Sequence, residues 1–208
     1  TCTPATVGTA VSVTCASGSA CTQYLRYATW DVAGNASAIY SKRVRQDNQS
    51  PTASDNGSGS WVSSTSSTIT ITPTDGSGSG ISTTKYCVDT TNTCTPTTVG
   101  TAATTTCTSG AACTQYVRYA TWDVAGNASA VYSRTVLQDT AIPTIPQLTA
   151  TAGNAQVSLS WTASSDTGSG ISYYKIVYAT GTSAPANCNS GTVVYSSTGT
   201  STTHTGLT

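Results

Sequence analysis

The chain has no methionine, no phenylalanine and a single histidine. Charge is just as scarce, with eight Lys and Arg balancing eight Asp and Glu over 208 residues. Without a net basic face there is no counterion-driven pull towards nucleic acid or towards an anionic membrane surface. No apolar run in this stretch is long enough for a signal peptide or a membrane-spanning helix. No segment keeps apolar residues at i, i+3, i+4 and i+7, so amphipathic helices are not expected. The lone histidine, His204, lies in Ser-Thr-Thr-His-Thr-Gly with no nucleophile elbow near it. The glycines of Asp75–Gly80 fall between strand patterns and open no helix, which removes the phosphate-loop and dinucleotide fingerprints. Acidic residues stand singly in turns, where Asp bonds local backbone. These absences predict a protein with no catalytic residues, no nucleic-acid partner and no membrane insertion.

What is present is a repeat. Residues 2–47 recur as 94–139 at a constant offset of 92, without a gap, and eleven of the 46 aligned pairs differ. The changes are mild, such as Leu25/Val117, Ile39/Val131 and Lys42/Arg134. A near-copy at this spacing indicates a tandem array of one folding unit, and its period matches a β-sandwich module of roughly 100 residues. Within the complete copy, Ser67–Pro73 alternates small polar with β-branched residues, as a half-buried strand does. Thr83–Val88, Ala103–Cys107, Gln115–Trp122 and Ala128–Leu137 read as further strands. In Gln115–Trp122, period two puts Tyr116, Arg118, Ala120 and Trp122 on one face and Val117, Tyr119 and Thr121 on the other; the pattern leaves open which face is buried. The expected organisation is 1–50 as the late part of a module, 51–140 as a whole one and 141–208 as the early part of a third. Short linkers follow at Asp47–Pro51 and Asp139–Pro146, the second carrying two prolines that restrict φ and discourage pairing. In the last segment, Gln156–Trp161 places Val157, Leu159 and Trp161 on one face, and Ser172–Tyr178 and Thr192–Ser196 follow as strands. The fold class expected is all-β.

Eight cysteines in such a chain point to disulfides and an oxidising compartment. The spacings Cys87-x6-Cys94 and Cys107-x5-Cys113 do not fit the C-x2-C knuckles of structural zinc. Short-loop pairing favours Cys15–Cys21, Cys87–Cys94 and Cys107–Cys113, with Cys87–Cys113 as the rival for the complete module. Cys2 and Cys188 have no counterpart within their own segments, which reads as a chain excerpted from a longer polypeptide.

The pattern Tyr-Ala-x-x-Asp-x-Ala-Gly-Asn at Tyr27–Asn35 and Tyr119–Asn127 resembles bacterial immunoglobulin-like repeats. Val157–Trp161 followed by Tyr173–Tyr178 resembles the first half of a fibronectin type III domain. The resemblance implies tandem sandwiches of a large secreted or cell-surface protein. Such sandwiches place the second–third and sixth–seventh strand loops at one end, so Asp75 and Asp123 are expected near linker residue Asp47, and Asp166 near Asp139. Calcium, which takes several oxygen ligands, is the one cofactor this set suits; turn chemistry at each Asp is the plainer alternative.

Function is therefore expected to be structural: a stalk or shaft of an extracellular bacterial fibre, filament or surface protein, partnered by neighbouring modules or subunits of the same protein. An adhesin reading would use Trp30, Trp122, Trp61 or Trp161 as a glycan platform, or loops that hold a protein ligand. An accessory region of a larger secreted enzyme is the third reading. Asn35, Asn56 and Asn127 lie in N-glycosylation patterns.

Overall fold

A computed structural model describes residues 3–207. They form fifteen strands and no helix: β1 Ala20–Tyr27, β2 Tyr40–Asp47, β3 Thr52–Asp55, β4 Trp61–Val62, β5 Ser66–Thr74, β6 Ile81–Asp89, β7 Thr98–Val99, β8 Ala102–Thr106, β9 Ala112–Asp123, β10 Tyr132–Asp139, β11 Leu148–Gly153, β12 Gln156–Trp161, β13 Tyr174–Tyr178, β14 Thr192–Ser197 and β15 Ser201–Thr205. The protein is all-β. Two compact units emerge, one built from the chain up to Gly59 with Thr68–Thr105 and Gln115–Val136. The other comprises Ser60–Ser67, Thr106–Thr114 and the chain from Leu137 onward.

In the first unit a sheet ordered β3-β5-β8 faces β9 and β6 of a second sheet, ordered β10-β9-β6-β7; β4 pairs in parallel with Leu137 and Gln138 at the end of β10, in the other unit. This is the strand partition of an immunoglobulin-like or fibronectin type III-like sandwich. Its core joins Ile69, Ile71 and Ala103 of one sheet to Val117, Tyr119 and Val136 of the other. The face left open by the sequence is thus decided: Val117, Tyr119 and Thr121 point inward. Trp122 lies on the opposite face, where Lys85 Nζ sits 5.1 Å from the ring centroid. Ala120 is also buried, since both faces of the central strand β9 are partly covered.

The hairpin β1–β2 also belongs to this unit and pairs in antiparallel register from Ala20↔Asp47 to Tyr27↔Tyr40. It is the sequence copy of β9–β10, and it keeps their aromatic stack: Tyr27 on Tyr40 at 5.7 Å, Tyr119 on Tyr132 at 5.5 Å. Its surroundings differ. Tyr119 is 2% exposed and Tyr27 57%.

In the second unit, β11-β12-β15 form one sheet and β13-β14 another. Trp161, 8% exposed, meets Tyr174 and Tyr195 edge-on at 5.8 and 5.1 Å. His204 packs against Tyr178, ring centroids 4.9 Å apart.

Among the described residues there are three disulfides, Cys15–Cys21, Cys87–Cys94 and Cys107–Cys113. The rival Cys87–Cys113 is excluded by register. Cys87 stands opposite Arg118, five residues along β9 from Cys113, or roughly 17 Å at strand rise, where a bridge needs Cα atoms within about 7 Å. Cys188 is a free, exposed thiol, and Cys2 lies outside the described residues. Each bridge closes a loop of six or seven positions, so chain entropy sets its contribution at about 2–3 kcal/mol. Replacing Cys107 and Cys113 together with serine is expected to lower unfolding free energy by about that amount in denaturant melts. A change below about 0.5 kcal/mol would contradict the entropic account.

Candidate metal centre at the linker

The cluster joins the linker after β2 to the loops after β5 and β9, each of which carries an Asp. Asp47 ends β2 and opens the linker, its Oδ1 accepting the Gln49 N–H at 3.0 Å. Asp75 begins the glycine loop after β5, its Oδ2 accepting the Gly80 N–H at 2.7 Å. Asp123 ends β9, and both its oxygens accept from Asn127, backbone N–H and side-chain amide, each at 2.7 Å. One carboxylate oxygen of each residue lies within 4.8 Å of the other two. Asp75 and Asp123 are buried and Asp47 half-buried.

The linker is fastened to the loops that follow it. Ser79 N–H donates to Asp47 Oδ2, Asn127 Nδ2 donates to the Asp47 carbonyl at 3.1 Å, and Ala125 N–H donates to Ser79 Oγ at 3.0 Å. The hydrogen bonds from Ser79 and Gln49 hold the Asp47 carboxyl below the usual carboxylate range. Asp75, 7% exposed, keeps its second oxygen Oδ1 buried with no donor. A buried, unsatisfied carboxylate oxygen is costly unless a cation or donor meets it. Three carboxylates this close repel one another, and a hard divalent cation with oxygen ligands relieves both problems.

Asp139 and Asp166 repeat half of this arrangement in the second unit. Asp139 Oδ1 accepts from Ala141 N–H at 3.0 Å and Oδ2 from Ser169 N–H at 2.6 Å. Asp166 Oδ1 accepts from Gly168 and Gly170 N–H groups. The Ser169 bonds, with Asp166 assisting, hold the Asp139 carboxyl down. No third acid joins them among the described residues.

Of the four tryptophans, Trp30 and Trp61 are exposed. Trp161 is a core residue, Trp122 lies under Lys85, and Trp30 is exposed beside its bridge to Ala36. Asn127 uses its amide on Asp123 and Asp47, and Asn35 uses its amide on Asp31; a glycan on either nitrogen would displace these bonds.

Two features were not anticipated. Asp55, its side chain 3% exposed, accepts Arg134 Nε–H and Tyr119 O–H at 2.6 Å each and Gly57 N–H at 2.8 Å. Burial alone would raise its pKa, but Tyr119 and Arg134 outweigh it and the carboxyl is held low. The second feature is Asp89, which closes the Cys87–Cys94 loop by accepting N–H groups from Asn92, Thr93 and Cys94. Desolvation opposes this charge, yet the Thr93 and Cys94 N–H groups bring its pKa from 3.8 down to about 2. A depressed folded pKa means stability present above the unfolded value and lost as pH falls through the folded one. The Asp89 contribution is therefore expected to fade between pH 3.8 and about 2, read by carboxyl-carbon NMR titration. A midpoint at the ordinary carboxylate value would contradict the capped loop.

No protein-family model matches the chain, and no curated protein matches it. Among solved structures, the chain is similar to a crystal structure of chicken CNTN1 FN1–FN3 domains, at 16% identity and a TM-score of 0.37, over 88% of this chain and 67% of that one.

Proposed function

We propose that the chain is a structural, non-enzymatic repeat region of an extracellular bacterial fibre, filament or surface-protein stalk, stiffened at its linker by calcium held between Asp47, Asp75 and Asp123. One observation carries this reading: the linker acid Asp47 is bonded to Ser79 of the next loop and meets two buried acids there. A cation at that point ties module to module, as a stiff string of sandwiches requires. The disulfides support an oxidising, extracellular setting. Antiparallel sandwiches tolerate water on their outer sheet faces, so they can stand in series in solvent.

Electron microscopy of the native extracellular material, with peptide mapping of what is seen, tests the reading. Fibres or stalks containing this chain are expected. Recovery of the chain only from the cell interior would overturn it.

A further inference from the structure

A closed circuit of hydrogen bonds surrounds the linker cluster. Asp47 Oδ2 accepts from Ser79 N–H, and Ser79 Oγ accepts from Ala125 N–H. The turn runs on from Ala125 to Asn127, whose Nδ2 donates to the Asp47 carbonyl at 3.1 Å and closes the circuit. The same nitrogen donates to Asp123 Oδ2 at 2.7 Å, and the Asn127 backbone N–H donates to Asp123 Oδ1 at 2.7 Å. A side-chain amide nitrogen carries two protons, and here each has its own acceptor. The orientation is fixed as well. Turning the amide over would set its oxygen against a carboxylate oxygen and a carbonyl oxygen.

The two acceptors of the Asn127 amide differ in kind. Asp123 offers a cluster carboxylate and is 2% exposed. The Asp47 carbonyl is main chain, at the last residue of β2, where the linker begins. Ser79 reaches only the Asp47 carboxylate, which can turn about its own side-chain bonds without moving the linker. Asn127 grips the backbone itself. The glycine loop is held without its help. Asp75 Oδ2 accepts from Gly80 N–H at 2.7 Å, and Gly78 N–H donates to the Asp75 carbonyl at 2.9 Å. A Cβ added at Gly78 would lie 2.7 Å from the Asp75 carboxyl carbon, so the carboxylate rests directly on the loop backbone.

We propose that Asn127 couples cation occupancy to linker stiffness: it is a positioning residue that holds the ligand Asp123 with one amide proton and the linker main chain with the other. The inference rests on the calcium reading of the cluster. Without an ion, repulsion among the three carboxylates pushes Asp123 outward and draws the Asn127 amide off the Asp47 carbonyl. A cation between them reverses the sign of that force. It pins Asp123, and with it the amide that grips the linker. Hydrogen bonds to ligating carboxylates orient them in this way. A bond to an ionised acceptor is also stronger than one to a neutral carbonyl, so the Asp123 contact leads and the Asp47 contact follows.

The test separates binding from stiffening. Asn127→Ala in the full chain keeps all three carboxylates and the backbone bonds of the turn. Its calcium affinity, read by titration calorimetry, is expected to fall about tenfold, as on loss of an outer-shell partner. Nitrogen-15 relaxation is then measured with calcium saturating each protein. In wild type both Asp75–Gly80 and Asn48–Ser50 should reach order parameters near about 0.85. In Asn127→Ala the loop should reach that value while the linker stays near about 0.6. Asn127→Ser, too short to span both acceptors, should show the same split. It replaces the alanine variant if that one loses the dispersed amide signals of core residues Val117 and Val136. A linker that orders fully in the folded variants overturns the coupling and leaves the calcium reading standing. A folded variant that binds no calcium makes Asn127 part of the ion's own cage and also overturns it. Wild type that binds none overturns both.

Discussion

Asp55→Ala is expected to destabilise the first unit by about 3 kcal/mol, measured by equilibrium denaturation. The substitution removes the acceptor for the Tyr119 hydroxyl and the Arg134 guanidinium together. Tyr119 is buried in the core and has no water to turn to, whereas Arg134, its side chain 35% exposed, rehydrates in part. That places the cost at the lower end of the about 3–5 kcal/mol typical of a broken buried pair. Against a total of about 5–15 kcal/mol it is a large fraction. Asp55→Asn keeps an acceptor for Tyr119 and should cost less, about 1–2 kcal/mol. The charge form matters in the expected direction: because the folded pKa is lowered, the contribution is complete above the ordinary carboxylate range and disappears as pH falls through the folded value. An Asp55→Ala variant within about 0.5 kcal/mol of wild type would show that the three-way contact adds nothing.

Calcium is expected to bind the linker cluster in the range of extracellular modules, with a Kd of about 0.1–1 mM, read by titration calorimetry. Asp75→Asn and Asp123→Asn should each weaken it at least about tenfold, since each removes a charged ligand from a set of three. At a hundredfold excess over Kd the ion should stabilise the fold by about 2.7 kcal/mol, seen as a rise in Tm that chelator reverses. Magnesium should substitute poorly, because it demands tighter octahedral geometry and holds its water. Equal binding by wild type and both variants would place any calcium elsewhere.

Much of the fold was legible because alternation is strong where one strand face is buried. Ser67–Pro73, Gln115–Trp122 and Gln156–Trp161 all became strands. Ala128–Leu137 was read as one strand, but β10 starts only at Tyr132, since Ala128 instead bridges Trp122. Strands β4 and β7 are two residues long, too short for any period to register. The six residues of β11 are all exposed, so no hydrophobic alternation marks them. Asp47, Asp75 and Asp123 were found through module topology, which fixes which loops share an end. Asp55 was not: nothing in Ser-Asp-Asn-Gly announces a buried carboxylate. Its environment depends on the register that sets it opposite Ile71 and on Tyr119 pointing inward, a choice that apolar residues on both faces of β9 concealed.

A cation held between Asp47, Asp75 and Asp123 should stiffen the linker backbone that runs past it. Backbone relaxation of Asn48–Ser50 and Asp75–Gly80 by nitrogen-15 NMR, with calcium and with chelator, tests it most directly. The account predicts order parameters near about 0.85 with calcium, falling towards about 0.6 when it is removed, and no calcium response in Asp123→Asn. Order parameters that stay the same in calcium and in chelator would contradict it, leaving three turns that need no metal.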